Sequence, residues 1–304
     1  DEFEGRNTGE AGQKLAVNFI KSFYKSNDIA KADNTEDYFQ KFLVDFSGRQ
    51  VANPSDIDSL ENLSTAEKVN WVKTENVAAI IEGSEYPDEY IILTAHLDHV
   101  GIEDGEIYNG ADDDGSGSMA LLEIAQAFKL AELDGNRPKR SIVILHVSAE
   151  EKGLLGSKYY VENPLYSLDE TITNLNVDMI GRTDPTRESD NENYIYLIGT
   201  DRLSSMLHDT SEKVNKRTIN LELDYRFNAW DDPNRFYERS DHWHFAKNNI
   251  PVIFYFSGTH EDYHMPTDTP DKIRYDLLTK RARLIFHTAW EIANMDEKIE
   301  VDKK

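Results

Sequence analysis

The chain has 304 residues, 39% hydrophobic and 30% charged, a globular balance with enough length to bury a sizeable core. Lys and Arg number 33 against 57 Asp and Glu, a formal net charge of −24, which argues against nucleic acid or an anionic membrane as a partner. There is no cysteine, so disulfides, thiolate metal sites and a cysteine nucleophile are excluded, and any metal must be held by His, Asp and Glu.

In chain order, apolar residues at helical spacing in GEAGQKLAVNFIKSFYKS (9–26) predict a helix, and YFQKFLVDF (38–46) and NVAAIIEG (76–83) predict strands. A recurring unit follows: an apolar run, a polar turn rich in acids or His, then a helix. EYIILTAH is a buried strand ending at His96, and SMALLEIAQAFKLAEL (118–133) is a helix. RSIVILHVSAEE is a strand ending in Glu150 and Glu151, and GLLGSKYYVEN (153–163) is its helix. TNLNVDMIG carries Asp178 at its end, and IPVIFYFSG (250–258) runs into THEDYH. Residues 184–193 read as an exposed loop. The irregular segment 220–238, with Phe227, Trp230 and Tyr237, reads either as a cover over the site or as a surface excursion.

The alternation predicts an α/β fold: a mixed, mostly parallel central sheet flanked by helices on both faces. One domain is expected over 1–304, with 1–75 as its N-terminal helix-and-strand part. No apolar run reaches the roughly 20 residues of a membrane span, so no membrane insertion is expected. The chain begins at Asp1 rather than Met, and the expected location is secreted or periplasmic. Asn62-Leu63-Ser64 is a glycosylation sequon, relevant only in a eukaryotic secretory route.

Every candidate metal ligand falls at a strand end, where open α/β sheets bind their ligands. In TAHLDHVG, His96 and Asp98 leave the strand toward one side, because strand side chains alternate with period two. Asp98 is a candidate to hold the second ring nitrogen of His96. His99 is either a ligand or a plain loop histidine. YNGADDDGSGS places Asp112, Asp113 and Asp114 in a glycine-rich turn, where like charges raise one another's pKa unless a cation neutralises them. One carboxylate there could bridge two ions. A calcium-loop spacing, D-x-D-x-S-G-x5-E over Asp112 to Glu123, is the alternative, although no helix is expected before it. Of Glu150 and Glu151, one could bind metal while the other shuttles protons. Asp178 closes an apolar strand, a costly place for an unpaired charge. His242, His244, His260 and His264 follow in one segment, with Tyr263 beside His264.

Taken as an ordered set (HxD, GADDDGSG, EE, NVDMIG, SDH and YHxxxDT), these motifs resemble the di-zinc aminopeptidases of metallopeptidase family 28, of the bacterial leucyl aminopeptidase type. The resemblance runs from about Asn76 to Ile273 and extends more weakly to FEGRNTGEAGQKLA at the N-terminus. It implies a zinc-dependent exopeptidase fold of the phosphorylase/hydrolase-like kind, without a protease-associated domain. It implies two Zn2+ per chain: His96 and Asp178 on one, Glu151 and His264 on the other, Asp113 between them, and a cis peptide between Asp113 and Asp114. Asp98 would orient His96, Glu150 would be the general base, and Tyr263 and Arg239 match positions that contact the reacting carbonyl or the substrate. The implied substrates are peptides with a free N-terminus. The rival expectations are a glutaminyl-cyclase-like acyltransferase and a non-catalytic binding module on the same scaffold.

Overall fold

The computed structural model of the chain describes residues 1–56 and 70–303; the sequon at Asn62 lies outside the described residues. In chain order the elements are α1 (Ala11–Ser26), β1 (Ala30–Lys31), β2 (Phe39–Asp45), β3 (Gln50–Ala52), β4 (Trp71–Ile81), β5 (Tyr86–His96), β6 (Gly101–Glu103), β7 (Glu106–Tyr108) and α2 (Gly115–Leu133). There follow β8 (Arg140–Val147), α3 (Leu155–Glu162), β9 (Thr171–Val177), β10 (Tyr194–Ile198), α4 (Ser205–Arg217), β11 (Glu222–Asp224), α5 (His242–Lys247), β12 (Val252–Phe256) and α6 (Tyr275–Asn294).

Ten strands form one sheet in the order β11-β10-β12-β9-β5-β8-β4-β2-β3, with β1 on β4. Its centre, β12-β9-β5-β8, is parallel. Beyond it, β10 on one side and β4, β2 and β3 on the other pair antiparallel, and the edge strand β11 lies parallel to β10. The sheet is therefore mixed, as expected, with the parallel part confined to the strands that helices connect. Residues 30–52 add strands to this same sheet, so the N-terminal part shares its core.

Both faces of the central strands are buried, which is why β12 and most of β5 and β8 run apolar; the buried polar residues of β9 are paired, Asn174 with Thr94 and Asn176 with Thr94 and Ser240. Ile91, Leu93 and Ala95 of β5 face one core with Ile20 of α1, Leu121 of α2, Leu207 of α4 and Leu284 of α6. Ile92 of β5, with Val143 and Leu145 of β8, faces the other core, where Tyr160 of α3 and Phe245 of α5 pack. The 184–193 loop has no helix or strand, and 220–238 is irregular apart from β11 and short 3-10 turns. Sequence periodicity did not single out β10, α4 or α6. Among the described residues no helix is long and apolar enough to cross a membrane.

Candidate active site

The parallel strands β5, β8, β9 and β12 all end on one edge, and the loops leaving them meet the N-terminus of α2. His96 closes β5, Glu150 and Glu151 follow β8, Asp178 follows β9, and His264 lies in the loop after β12. Three of these loops use left-handed backbone at a non-glycine residue: Ala149 (φ 59°), Met179 (φ 54°) and His264 (φ 53°). Such conformations cost on the order of 1–3 kcal/mol each and persist where the surroundings fix them.

The triple aspartate divides its work. Asp114 caps α2: its Oδ1 accepts from Gly117 N at 2.8 Å and Met179 N at 3.1 Å, and its Oδ2 from His96 N at 3.2 Å. Gly117 is required there, because a Cβ would lie 2.4 Å from Asp114 Oδ1. Asp112 Oδ1 accepts from Gly181 N at 2.6 Å, and its Oδ2 lies 3.1 Å from His260 Nε2. Asp268 accepts from the N–H groups of both Asp112 (3.0 Å) and Asp113 (3.2 Å). The peptide between Asp113 and Asp114 is cis. The outer aspartates are thus spent on the scaffold, and the middle one is left to project. The calcium-loop alternative does not hold: Asp112 and Asp114 bind backbone N–H groups, Ser116 Oγ donates to Asp112 O, and Glu123 is exposed on α2.

Asp113 stands between two groups of side chains. Its Oδ1 is 3.1 Å from His96 Nε2, which is 3.6 Å from Asp178 Oδ1. Its Oδ2 is 3.0 Å from His264 Nε2, which is 3.1 Å from Glu151 Oε2. His99 joins the second group, with Nδ1 2.8 Å from Glu151 Oε1 and its ring edge-on to His264. In each group the potential ligand atoms lie within 4.8 Å of one another. Burial works to raise the Asp113 carboxyl, but His264, His96 and His99 overcome it and hold it well below the usual carboxylate range.

The neighbours of these groups fix their orientation. The Nδ1–H of His96 donates to the main-chain carbonyl of Asp98 at 3.1 Å, which aims Nε2 at Asp113 and Asp178. The Asp98 carboxylate is farther from that nitrogen, at 3.9 Å; it accepts instead from Glu150 N at 3.1 Å and Thr8 Oγ1 at 2.9 Å. Asp178 Oδ2 accepts from Ser240 Oγ at 2.7 Å, and Ser240 accepts in turn from Asn176 Nδ2 at 2.8 Å. Burial pushes the Glu150 carboxyl well above the usual range, and the charges of Glu151, Asp241 and Asp178 add to this. Glu150, Arg239, Tyr263, Met179, Phe236, Phe254 and Phe256 line the same cleft as the clustered ligand-type residues. Tyr263 stacks on His264 with ring centroids 4.0 Å apart, and Arg239 is exposed over the Phe236 ring at 5.2 Å. Part of the irregular 220–238 segment therefore does reach the site, through Phe236.

Two of the four late histidines lie elsewhere. His242 stacks on Phe254 and His244 is buried in α5; neither belongs to a ligand group. A larger cavity of about 530 Å3 lies among the N-terminal segment, α2 and α6, but none of the clustered ligand-type residues lines it. Sequence reasoning missed Ser240 and Asp241. Asp241 is fully buried with neither carboxylate oxygen hydrogen-bonded, and burial raises it to about 7. The signal lay in SDH, where only the histidine drew attention.

The residues fit a metal centre on three observations. Both ring nitrogens of His99, Oδ2 of Asp113 and Oε1 of Glu151 are buried without a hydrogen-bond partner, a costly state unless something else meets them. The donors are imidazole and carboxylate, a set that suits zinc and similar divalent ions. The His96 ring is held through Nδ1 with Nε2 aimed at its group.

A family model described as Peptidase family M28 matches residues 76–289. A probable leucine aminopeptidase of Arthroderma otae is 28% identical over 75% of this chain and 60% of its own length. The probable glutamate carboxypeptidase LAMP1 of Arabidopsis thaliana is 39% identical over 38% of this chain, and that match spans 16% of the plant protein. Two solved structures share the fold. BSAP, a zinc aminopeptidase from Bacillus subtilis, has a TM-score of 0.68 at 16% identity, covering 100% of this chain and 96% of that one. A glutaminyl cyclase of Porphyromonas gingivalis has a TM-score of 0.70 at 17% identity, covering 94% and 92%. With the family model covering more than half of the chain, over the stretch that carries every clustered side chain, the protein belongs to peptidase family M28.

Proposed function

We propose that the chain is a zinc-dependent aminopeptidase that hydrolyses the N-terminal peptide bond of peptides, using two metal ions and a glutamate base. The observation that carries this reading is the placement of Asp113, with one carboxylate oxygen in each of two ligand groups. A single carboxylate shared in this way could serve one metal ion in each group. His96, Asp113 and Asp178 would hold one, and Asp113, Glu151 and His264 the other. Bound there, the ions supply Lewis-acid polarisation of the scissile carbonyl and lower the pKa of water.

The protein's own residues do the rest. Glu150 accepts the proton of the attacking water and delivers it to the leaving amine. Its raised pKa brings it toward the operating range of a general base. Tyr263 donates to the oxygen on which charge develops. Asp98 holds the entry to this arrangement by accepting from Glu150 N while its own carbonyl fixes the His96 tautomer. Met179, Phe236, Phe254 and Phe256 offer an apolar surface to the first side chain of the substrate.

Zinc and aminopeptidase action are supported by the names of the relatives, which include a leucine aminopeptidase and a zinc aminopeptidase. A free amine rather than a free carboxylate suits a cleft whose lining carries four carboxylates and one arginine. The test is hydrolysis of a leucyl peptide with its amine free or acetylated. Cleavage of only the free form supports the reading. Cleavage from the carboxyl end instead would support the activity named in the plant relatives, and cyclisation of an N-terminal glutamine the one named in the Porphyromonas structure.

A further inference from the structure

The N-terminal motif EGRNT (4–8) lies far in sequence from every clustered ligand-type residue, yet it touches two of the loops that carry them, the one after His96 and the aspartate turn. The guanidinium of Arg6 donates from Nε to Leu97 O at 2.7 Å. Its other nitrogens donate to Asn109 O at 2.5 Å, Gly110 O at 3.0 Å and Asp113 O at 3.4 Å. The backbone of Arg6 accepts from His99 N at 3.3 Å, and Thr8 Oγ1 donates to Asp98 Oδ2 at 2.9 Å. Residues 97, 98 and 99 are therefore each held by this one segment, and the same arginine reaches the aspartate turn. Gly5 makes the approach possible: its φ is +67°, and a Cβ there would lie 2.3 Å from Gly101 O.

We propose that Arg6 is a positioning residue that clamps the His96 loop to the Asp113 turn and so sets the distance between the ligands of the metal pair. The proposal rests on reading the two groups as a metal site. A planar guanidinium with five donors can serve carbonyls of two loops at once, which an ammonium cannot reproduce. The short β6–β7 hairpin pairs Gly101 with Tyr108 between the two loops, but its ladder does not extend to residues 97–99 or 109–113, which Arg6 joins. Without the clamp the His96 side of the Asp113 carboxylate loses its fixed register, and loss of such outer support typically weakens metal affinity about 10–100-fold.

The test compares the parent chain with Arg6→Met, Arg6→Lys and Ile20→Ala. Ile20 is buried on α1, and its apolar side chain can hydrogen-bond to neither loop, so its variant loosens the same N-terminal region without removing the clamp. Each protein is stripped with chelator, checked by circular dichroism, and titrated with zinc against a chromophoric competing chelator. The expected result is at least about tenfold weaker zinc binding for Arg6→Met. Arg6→Lys should fall between that and the parent, and Ile20→Ala should match the parent. Should Arg6→Met fail to fold, Arg6→Lys against Ile20→Ala decides. Parent-like affinity in the Arg6 variants overturns the proposal, as does an equal loss in Ile20→Ala, which would mean general loosening. A parent chain that takes up no zinc overturns the metal-site reading itself, and this proposal with it.

Discussion

Oδ1 of Asp113 lies 3.1 Å from Nε2 of His96, while the other oxygen of that carboxylate faces His264 at 3.0 Å. Its two aspartate neighbours are engaged by backbone N–H groups and by His260. The sharing of one carboxylate between two groups makes a definite prediction. Asp113→Asn keeps the size of the side chain but removes its charge and one acceptor. Both ions should weaken together, on the order of 10–100-fold or more, measured as zinc per chain after dialysis against a buffered free-zinc series. Loss of only one equivalent would show that the carboxylate serves a single ion.

Glu150 shares the cleft but belongs to neither ligand group. Glu150→Gln should therefore keep metal content near that of the parent while turnover falls about 10²–10⁴-fold, the range for loss of a general base. Metal analysis and steady-state kinetics on the same preparation check this. Metal loss in step with activity would reassign Glu150 as a ligand.

Tyr263 stacks on His264 at the cleft wall, and burial raises its hydroxyl pKa, so it stays protonated as a donor. Tyr263→Phe keeps the stack and removes the donor. A group that acts on developing charge should lower kcat while KM changes little. An unchanged kcat with a raised KM would make Tyr263 a contact of the ground state only.

Three buried histidines should make the fold more sensitive to acid, against an opposite contribution from the buried Glu150 and Asp241 carboxyls, whose raised pKa values let the folded state take up protons first. Burial lowers His146 and His242 to about 3 and His244 to about 4. In the unfolded chain each binds a proton near pH 6.5. Their stabilising contribution is complete above that pH and is lost as pH falls toward the folded values, because the unfolded state takes up protons the folded state refuses. The slope is about 1.4 kcal/mol per pH unit for each histidine. Urea unfolding in chelator between pH 7 and 4.5 gives the summed slope, and the histidine contribution is read as the difference between the parent and a variant. His242→Phe, whose ring can keep the stack on Phe254, should reduce the slope by close to one proton. An identical slope in the variant would place the proton uptake elsewhere.

How much of this was legible beforehand follows from distance along the chain. His96, Glu150, Glu151 and Asp178 could be read because a buried apolar run ending in a polar residue is a local signal, and several such runs aligned at one sheet edge. Asp113 could be singled out from its neighbours only through the resemblance of the ordered motifs. The scaffold that aims these groups was not legible. Ser240 reaches Asp178 across 62 positions and Asp268 reaches Asp112 across 156, and nothing near either residue marks the pairing. The role of Asp98 changed for a related reason. Period two placed it beside His96, but its backbone carbonyl rather than its carboxylate lies nearer Nδ1, because Thr8 and Glu150 N engage the carboxylate. β10, a five-residue run of buried apolar side chains, was too short to tell from other apolar stretches. α4 and α6 present amphipathic faces whose partner surface is the sheet assembled by everything before them.

The central claim is that this site cleaves the first peptide bond with bound metal. The most direct measurement is hydrolysis of one leucyl peptide, amine free or acetylated, in the presence of chelator and after zinc is restored. The account predicts that only the free peptide is cut, that chelator stops the reaction, and that zinc returns it. Cleavage of the acetylated peptide, or cleavage indifferent to chelator, would contradict it.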